Sequence, residues 1–351
     1  MPSPTAQRLT GIQPLWAIEG GRIDIHGSGF SIGQSRLPDV RIGDLPARVV
    51  YASSSTISAL VQGGIVGGQT TVRVEEVPGE TVFLEVGVAL ATGLHQVDNP
   101  AFDREGNLYV TFSGSRGEQV PVSIFRVSRS GRREPFGSGI VNPTSMVFDE
   151  AGNLYVSSRL EGTVYRIRPD GSAEAFASDL GVACGLALAR DGGIYVGDRS
   201  GTIFRLERNG TAGVVATLPP SVAAFHLAIG PDDALYVTGP TLGPYDHVYR
   251  VDITNGTIDR IYSRFGRPQG LAFDAQGTLY VVEALAGSSG LYRLPRDGTA
   301  ELALAGPALV GVALDPTGGL VVASNETAYR LQVGLRPPEL ATRPDTPGAA
   351  S

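Results

Sequence analysis

The sequence predicts an all-β protein: a small β-sandwich followed by a six-bladed β-propeller that an amino-terminal strand closes. Three observations carry this. First, Gly106-Asn107-Leu108-Tyr109-Val110 recurs as Gly152-Asn153-Leu154-Tyr155-Val156. Looser copies stand at Gly193-Ile194-Tyr195-Val196, Ala234-Leu235-Tyr236-Val237, Gly277-Thr278-Leu279-Tyr280-Val281 and Gly319-Leu320-Val321-Val322. Their spacing of about 40–46 residues is that of propeller blades. Second, 47 Gly and 24 Pro in 351 residues demand frequent turns, which suits many short strands. Third, no long segment places apolar residues at helical spacing, so strands are the default.

The first 86 residues do not share the repeat. From about 9 to 86 the chain alternates as strands do, in Arg22–His26, Val40–Ile42, Ala47–Tyr51, Thr56–Val61, Thr71–Val74 and Thr81–Val86. Gly or Pro clusters separate these segments, as in a sandwich of about seven short strands. The segment resembles the IPT/TIG family of immunoglobulin-like domains. The matching residues are Ile12-Gln13-Pro14, Glu19-Gly20-Gly21, Ile25-His26-Gly27-Ser28-Gly29-Phe30, Val40-Arg41-Ile42-Gly43 with Ala47–Val50, and Gly67-Gly68. The resemblance implies a turn at Gly27 and Gly29 before a buried Phe30. It implies a binding or spacer role without chemistry of its own.

From 87 to 335 each unit follows one order. A short apolar strand such as Gly185–Leu188 comes first, and a Gly turn leads to the Leu-Tyr-Val strand. A polar loop then leads to a Tyr-Arg strand, as in Val164-Tyr165-Arg166-Ile167 and Leu291-Tyr292-Arg293-Leu294. Asp170-Gly171, Asn209-Gly210, Asn255-Gly256 and Asp297-Gly298 are hairpin turns, and a segment such as Ala173–Ala177 is the fourth strand. The last unit lacks that strand. Ala89–Asp98 aligns with Ala175–Cys184 as a fourth strand plus exit loop, so Gly87–Ala91 is expected to complete the last blade. Such closure removes exposed edges. The tail from 336 to 351, rich in Pro and Ala, is expected to be disordered.

Composition narrows the function. A net charge of −7 excludes a broad nucleic-acid surface. Lysine is absent and the basic residues are all arginine, whose planar fork suits carboxylates. The single cysteine, Cys184, excludes an internal disulfide and a Cys-rich zinc site. No run has the roughly 18 apolar residues of a membrane helix. Met1–Thr10 lacks a signal-peptide core. The expectation is a soluble, cytoplasmic protein, or an envelope or secreted one if the start is mis-assigned.

Units such as Pro268-Gln269-Gly270-Leu271-Ala272-Phe273-Asp274, running on to Tyr280-Val281, resemble the NHL-repeat and SMP-30/gluconolactonase propellers. That fold hosts lactonases, lyases and binding modules alike. Function is expected on the mouth that carries the loops after Leu-Tyr-Val and the blade entries. The residues entering the blades are Asp98, Thr144, Cys184, Phe225, Gln269 and Val310, followed by Asn99, Ser145, Gly185, His226, Gly270 and Gly311.

SMP-30-like lactonases hold a divalent cation with carboxylate and Asn oxygens at blade entries. Here the resemblance points to Asp98, Asn99, Thr144 and Gln269, with Cys184 in place of an Asn ligand. A hard cation needs more oxygens than this set offers, so no cofactor is assigned and a divalent cation stays open. His226 and His247 fall on the mouth, where a histidine can serve as general base. Streptogramin lyases use histidine on a similar but seven-bladed propeller. The plain alternative is that His226 holds a blade entry together. Cys184, between Ala183 and Gly185, reads as an apolar filler more than a nucleophile.

Arg116, Arg159, Glu161, Asp198, Arg199, Asp246, Arg264, Arg267, Glu283 and Glu326 lie in mouth-facing loops by this register. Arg159, Arg199 and Arg267 can bind an anionic ligand, or pair with Asp198 or Glu161. The function expected is a binding or interaction protein that takes a small molecule or a protein segment at the mouth. The alternative is a gluconolactonase-like hydrolase or lyase using Asp98, Asn99, His226 and Gln269.

Overall fold

The structure is a computed structural model that describes residues 7–31, 37–79, 81–295 and 299–338. The described residues form an all-β fold, and no helix is long and apolar enough to cross a membrane. The expected Asp297-Gly298 turn and the tail from 339 to 351 lie outside the described residues. Arg336 is described, and its carbonyl accepts the Ala275 N–H at 2.8 Å.

The amino-terminal sandwich turns on the eight-residue strand Leu45–Ala52, which pairs with Thr56–Leu60 on one side and Val40–Ile42 on the other. Alternation fills its interior: Ile23, Ile25, Ile42, Ile57, Val72 and Leu84 are buried together with Phe30.

Five four-stranded sheets follow the grammar of the repeat. In one, Pro143–Phe148, Leu154–Ser158, Thr163–Ile167 and Ala173–Ala177 pair antiparallel in chain order. The first and third residues of the Leu-Tyr-Val strands are buried in every copy, for instance Leu154 with Val156, Ile194 with Val196 and Leu235 with Val237. The repeat is therefore a packing requirement. The third-strand arginines are structural too. Arg126, Arg166, Arg205, Arg250, Arg293 and Arg330 pair with Glu134, Glu174, Asp191, Asp232, Glu301 and Asp315 respectively.

The ring closes as a sheet of mixed origin. Val88–Thr92 pairs antiparallel with Thr327–Gln332, which follows Leu309–Leu314 and Gly319–Ser324. The strand begins and ends one residue later than expected.

The expectation of six like blades is corrected. Only five four-stranded sheets are separate, because Pro268–Phe273, Leu279–Glu283, Gly290–Leu294 and Glu301–Ala305 belong to a twelve-stranded sheet. The link is two residues long. Trp16–Ala17 pairs parallel with Glu85–Val86 of the sandwich and with Leu304–Ala305 of the ring. Ile18 continues it, donating its N–H to Ala305 O at 3.0 Å. Its side chain packs among Leu291, Leu304, Leu309 and Leu331. So short a strand carries no periodicity, which is why sequence patterning passes over it.

Two outcomes follow. Deleting Gly87–Ala91 should bare the edge of Thr327–Gln332 and sharply reduce soluble yield; a truncated chain that purifies and melts like the parent would refute the closure. Ile18→Ala should lower the unfolding free energy by about 2–5 kcal/mol in chemical denaturation, as for a buried Ile. An unchanged midpoint would show that the link carries no load.

Candidate functional site

The mouth is built where first strands begin. Asp98, His226 and Gln269 enter from three different sheets and meet at the axis. His226 Nδ1 lies 2.5 Å from Asp98 Oδ1, and its Nε2 lies 3.0 Å from Gln269 Oε1. The three residues are 1%, 0% and 6% exposed, respectively for Asp98, His226 and Gln269. Both imidazole nitrogens face acceptor oxygens. The Gln269 amide can meet the second nitrogen with either its oxygen or its NH₂.

Asn99 stitches the ring from the same place. Its Nδ2 donates to Leu271 O at 2.9 Å and its Oδ1 accepts the Val312 N–H at 2.9 Å. The glycines beside it are required by close approach. A Cβ on Gly270 would lie 2.1 Å from Asn99 Oδ1, and one on Gly311 would lie 2.5 Å from Asp98 O. Thr238 donates to Gln269 O at 2.6 Å, and Ser145 accepts the Leu186 N–H at 3.0 Å. Neighbouring sheets are thus tied by side chains near the axis.

Several residues expected on the mouth are held in place by the backbone. Thr144 is fully buried and donates to Asn142 O at 3.2 Å. Glu283 accepts the N–H groups of Gly266 at 2.6 Å, Arg267 at 2.8 Å and Leu285 at 2.7 Å. Cys184 is buried, and its thiol donates to Val182 O at 3.2 Å. Burial pushes that thiol up to about 12. His247 sits edge-on to Tyr249 with ring centroids 5.5 Å apart. Among the described residues, no hydrogen bond or ring contact joins His247 to His226. The sequence groups these two histidines on one rim, but His247 follows the start of a third strand, away from the axis.

The metal question is one of donors. Among the described residues no three or more His, Cys, Asp or Glu side chains come together as ligands. Asp98 is engaged by His226, both ends of the Asn99 amide are engaged, and the Glu283 carboxylate holds three backbone amides. This set does not fit a hard cation, which takes six or more oxygens.

Arg159 and Arg199 occupy equivalent positions directly after Leu154–Ser158 and Ile194–Asp198. Their backbone N–H groups bond Asn142 O at 3.4 Å and Val182 O at 3.2 Å. The carboxylates beside them are turned elsewhere. Asp198 accepts the Val182 N–H at 2.7 Å and the Ser200 hydroxyl, and Glu161 accepts the Tyr165 hydroxyl at 3.0 Å. The Arg267 side chain is exposed, with no ion pair among the described residues.

Sequence reasoning missed the opposite face. A cavity of about 750 Å³ opens there, among the turns that follow the first strands. Met146, Val147, Leu188, Ile229 and Ala313 line both it and a smaller cavity of about 230 Å³, whose lining includes Asn99. Pro337 and Pro338 form part of its wall. The alternating apolar residues of the first strands were the available signal, but alone they read as core.

Residues 8–85 match the IPT/TIG domain family. Among curated proteins, none matches the chain. Solved structures share the fold at low identity. A gluconolactonase-like protein is 18% identical with a TM-score of 0.59, covering 72% of this chain and 93% of its own. An auxiliary nutrient binding protein from Bacteroides ovatus is 14% identical with a TM-score of 0.55, covering 93% and 98%. Virginiamycin B lyase from Staphylococcus aureus is 13% identical with a TM-score of 0.51, covering 94% and 96%.

A thiol held near 12 is almost wholly protonated at pH 8, with thiolate at about one part in ten thousand. Native protein should therefore leave Cys184 unmodified by a thiol-reactive dye at pH 8 and expose it only in denaturant. Stoichiometric labelling of the native chain within minutes would contradict the burial.

Proposed function

We propose that this chain is a binding protein whose propeller mouth takes a small molecule or a partner segment. The sandwich at 9–86 serves as a rigid spacer or second contact. The observation that carries this reading is the closed hydrogen-bonded set Asp98–His226–Gln269, fully buried at the axis. Its groups hold the ring, while charged loop residues around it remain open to a ligand. Kinship of fold with nutrient binding proteins is in keeping with this reading.

The alternative is a gluconolactonase-like hydrolase or lyase at the same mouth. It needs a side chain free to move a proton or a cluster able to hold a metal. His226 has both nitrogens engaged, and the axial oxygens are already hydrogen-bonded. A second binding reading has its own support. The cavity of about 750 Å³ on the far face is of a size that suits a small apolar ligand.

One set of measurements separates these readings. A thermal-shift screen of small molecules and peptides supplies hits, because a ligand of the folded state raises the melting temperature. Hits should lose affinity in Ser115→Trp, which crowds the mouth, and keep it in Ala151→Trp, which crowds the far cavity. The reverse pattern would move the site to the far face. Calcium, magnesium, manganese and zinc should leave the melting temperature unchanged; a saturable rise would favour the metal-dependent hydrolase.

A further inference from the structure

The arginines of the ring fall into two populations. Those on third strands all face a carboxylate, on the fourth strand for Arg126, Arg166 and Arg293 and in the turn after the first strand for Arg205, Arg250 and Arg330. Arg116, Arg159 and Arg199 do not: among the described residues none of them has an ion pair. They come from three consecutive sheets. Arg116 lies in the loop between Leu108–Thr111 and Ile124–Val127, and the other two follow the second strands of the next two sheets. The nearest carboxylates in sequence are occupied, Glu118 by the Ser115 N–H at 2.7 Å, Glu161 by Tyr165 and Asp198 by Val182 and Ser200.

Arg159 is the centre of the group. It is half-buried, and its guanidinium has one hydrogen bond among the described residues, a long one of 3.4 Å to Ser113 Oγ. Burial holds its pKa below the ordinary arginine value, and the Arg116 and Arg199 charges act in the same direction. Half-buried His95 beside it is likewise held low, by burial first and then by the Arg159 charge. Arg116 and Arg159 share one anchor: Asn142 accepts the Gly117 N–H at 2.8 Å, donates to Ser115 O at 2.8 Å, and takes the Arg159 N–H on its carbonyl at 3.4 Å. Arg199 holds the equivalent place on the next sheet. Such a row of like charges is an unfavourable arrangement in the protein alone. It becomes favourable when an anion enters, since each guanidinium offers a planar fork to an oxyanion.

We infer that Arg116, Arg159 and Arg199 form a recognition site for the oxyanion of a small-molecule ligand, a carboxylate or a phosphate, at the propeller mouth. This rests on the mouth being the binding face. A polyanion is disfavoured by the net charge of −7, so the site takes one anionic group on a small body.

The full-length chain is titrated by calorimetry with inorganic phosphate and, separately, with succinate, at low and at physiological salt. Binding of either anion is expected, weakening as salt rises, and the stronger arm identifies the oxyanion. Arg159→Gln and Arg199→Gln should each weaken it about 10- to 100-fold, the loss expected for a charge-assisted hydrogen bond. Arg159→Lys should retain part of it. Arg293→Gln, which removes a paired third-strand arginine, should leave it unchanged. Melting curves of each variant confirm that the fold persists. Absence of binding by both anions, or equal binding in Arg159→Gln and the parent, overturns the assignment. If neutral hits from the screen still bind, and fail in Ser115→Trp, the mouth stands as a binding face while the anion site falls. If no hit of any charge responds to Ser115→Trp, both fall.

Discussion

A ring of sheets is stable only if no edge is left open, and here that constraint is met by residues far from the carboxy-terminal sheet. Val88–Thr92 crosses to the outer edge of Thr327–Gln332. Each new backbone hydrogen bond contributes about 0.5–1.5 kcal/mol net. The larger effect is geometric, because the strand fixes where the last sheet stands and hence where every first strand meets the axis. The segment that does this follows the sandwich without a linker: Gly87 donates its N–H to Ala17 O at 2.9 Å. Sandwich and ring therefore share a continuous sheet through Trp16–Ala17, and the swing of one against the other is restricted by backbone pairing.

The axis shows how the ring spends its polar groups. Asn99, Ser145, Thr238, His226 and Gln269 bond across neighbouring strands, where glycines let the backbones come close. Buried polar groups must be paired or they cost more than they contribute, and these are paired with one another. An axis assembled this way is a structural bolt.

Charge pairing separates the arginines of the ring into two settings. Arg126, Arg166 and Arg293 lie opposite a carboxylate on the fourth strand, and Arg205, Arg250 and Arg330 meet one in the turn after the first strand, so each pair is part of its own blade. Arg199 directly follows a second strand and has no ion pair among the described residues, while its neighbour Asp198 accepts the Val182 N–H. The same side chain is ion-paired in one setting and, among the described residues, has no ion pair in the other.

Much of the fold was legible. The Leu-Tyr-Val repeat marks second strands because its first and third residues are buried in every copy, and the sandwich follows from two-residue alternation. The closing strand was legible because its exit loop resembles those of complete units. Two things were not. Trp16–Ala17 merges one blade with the sandwich, and two residues have no period to detect. The union of His226 with Asp98 joins residues 128 apart in the chain, which only the closed ring brings within 2.5 Å. By itself the sequence determined the strands and the faces they bury, because burial imposes a pattern on every local segment. Tertiary structure alone decided which polar groups neutralise one another and which stay open, because that depends on distances set between sheets and written in none of them.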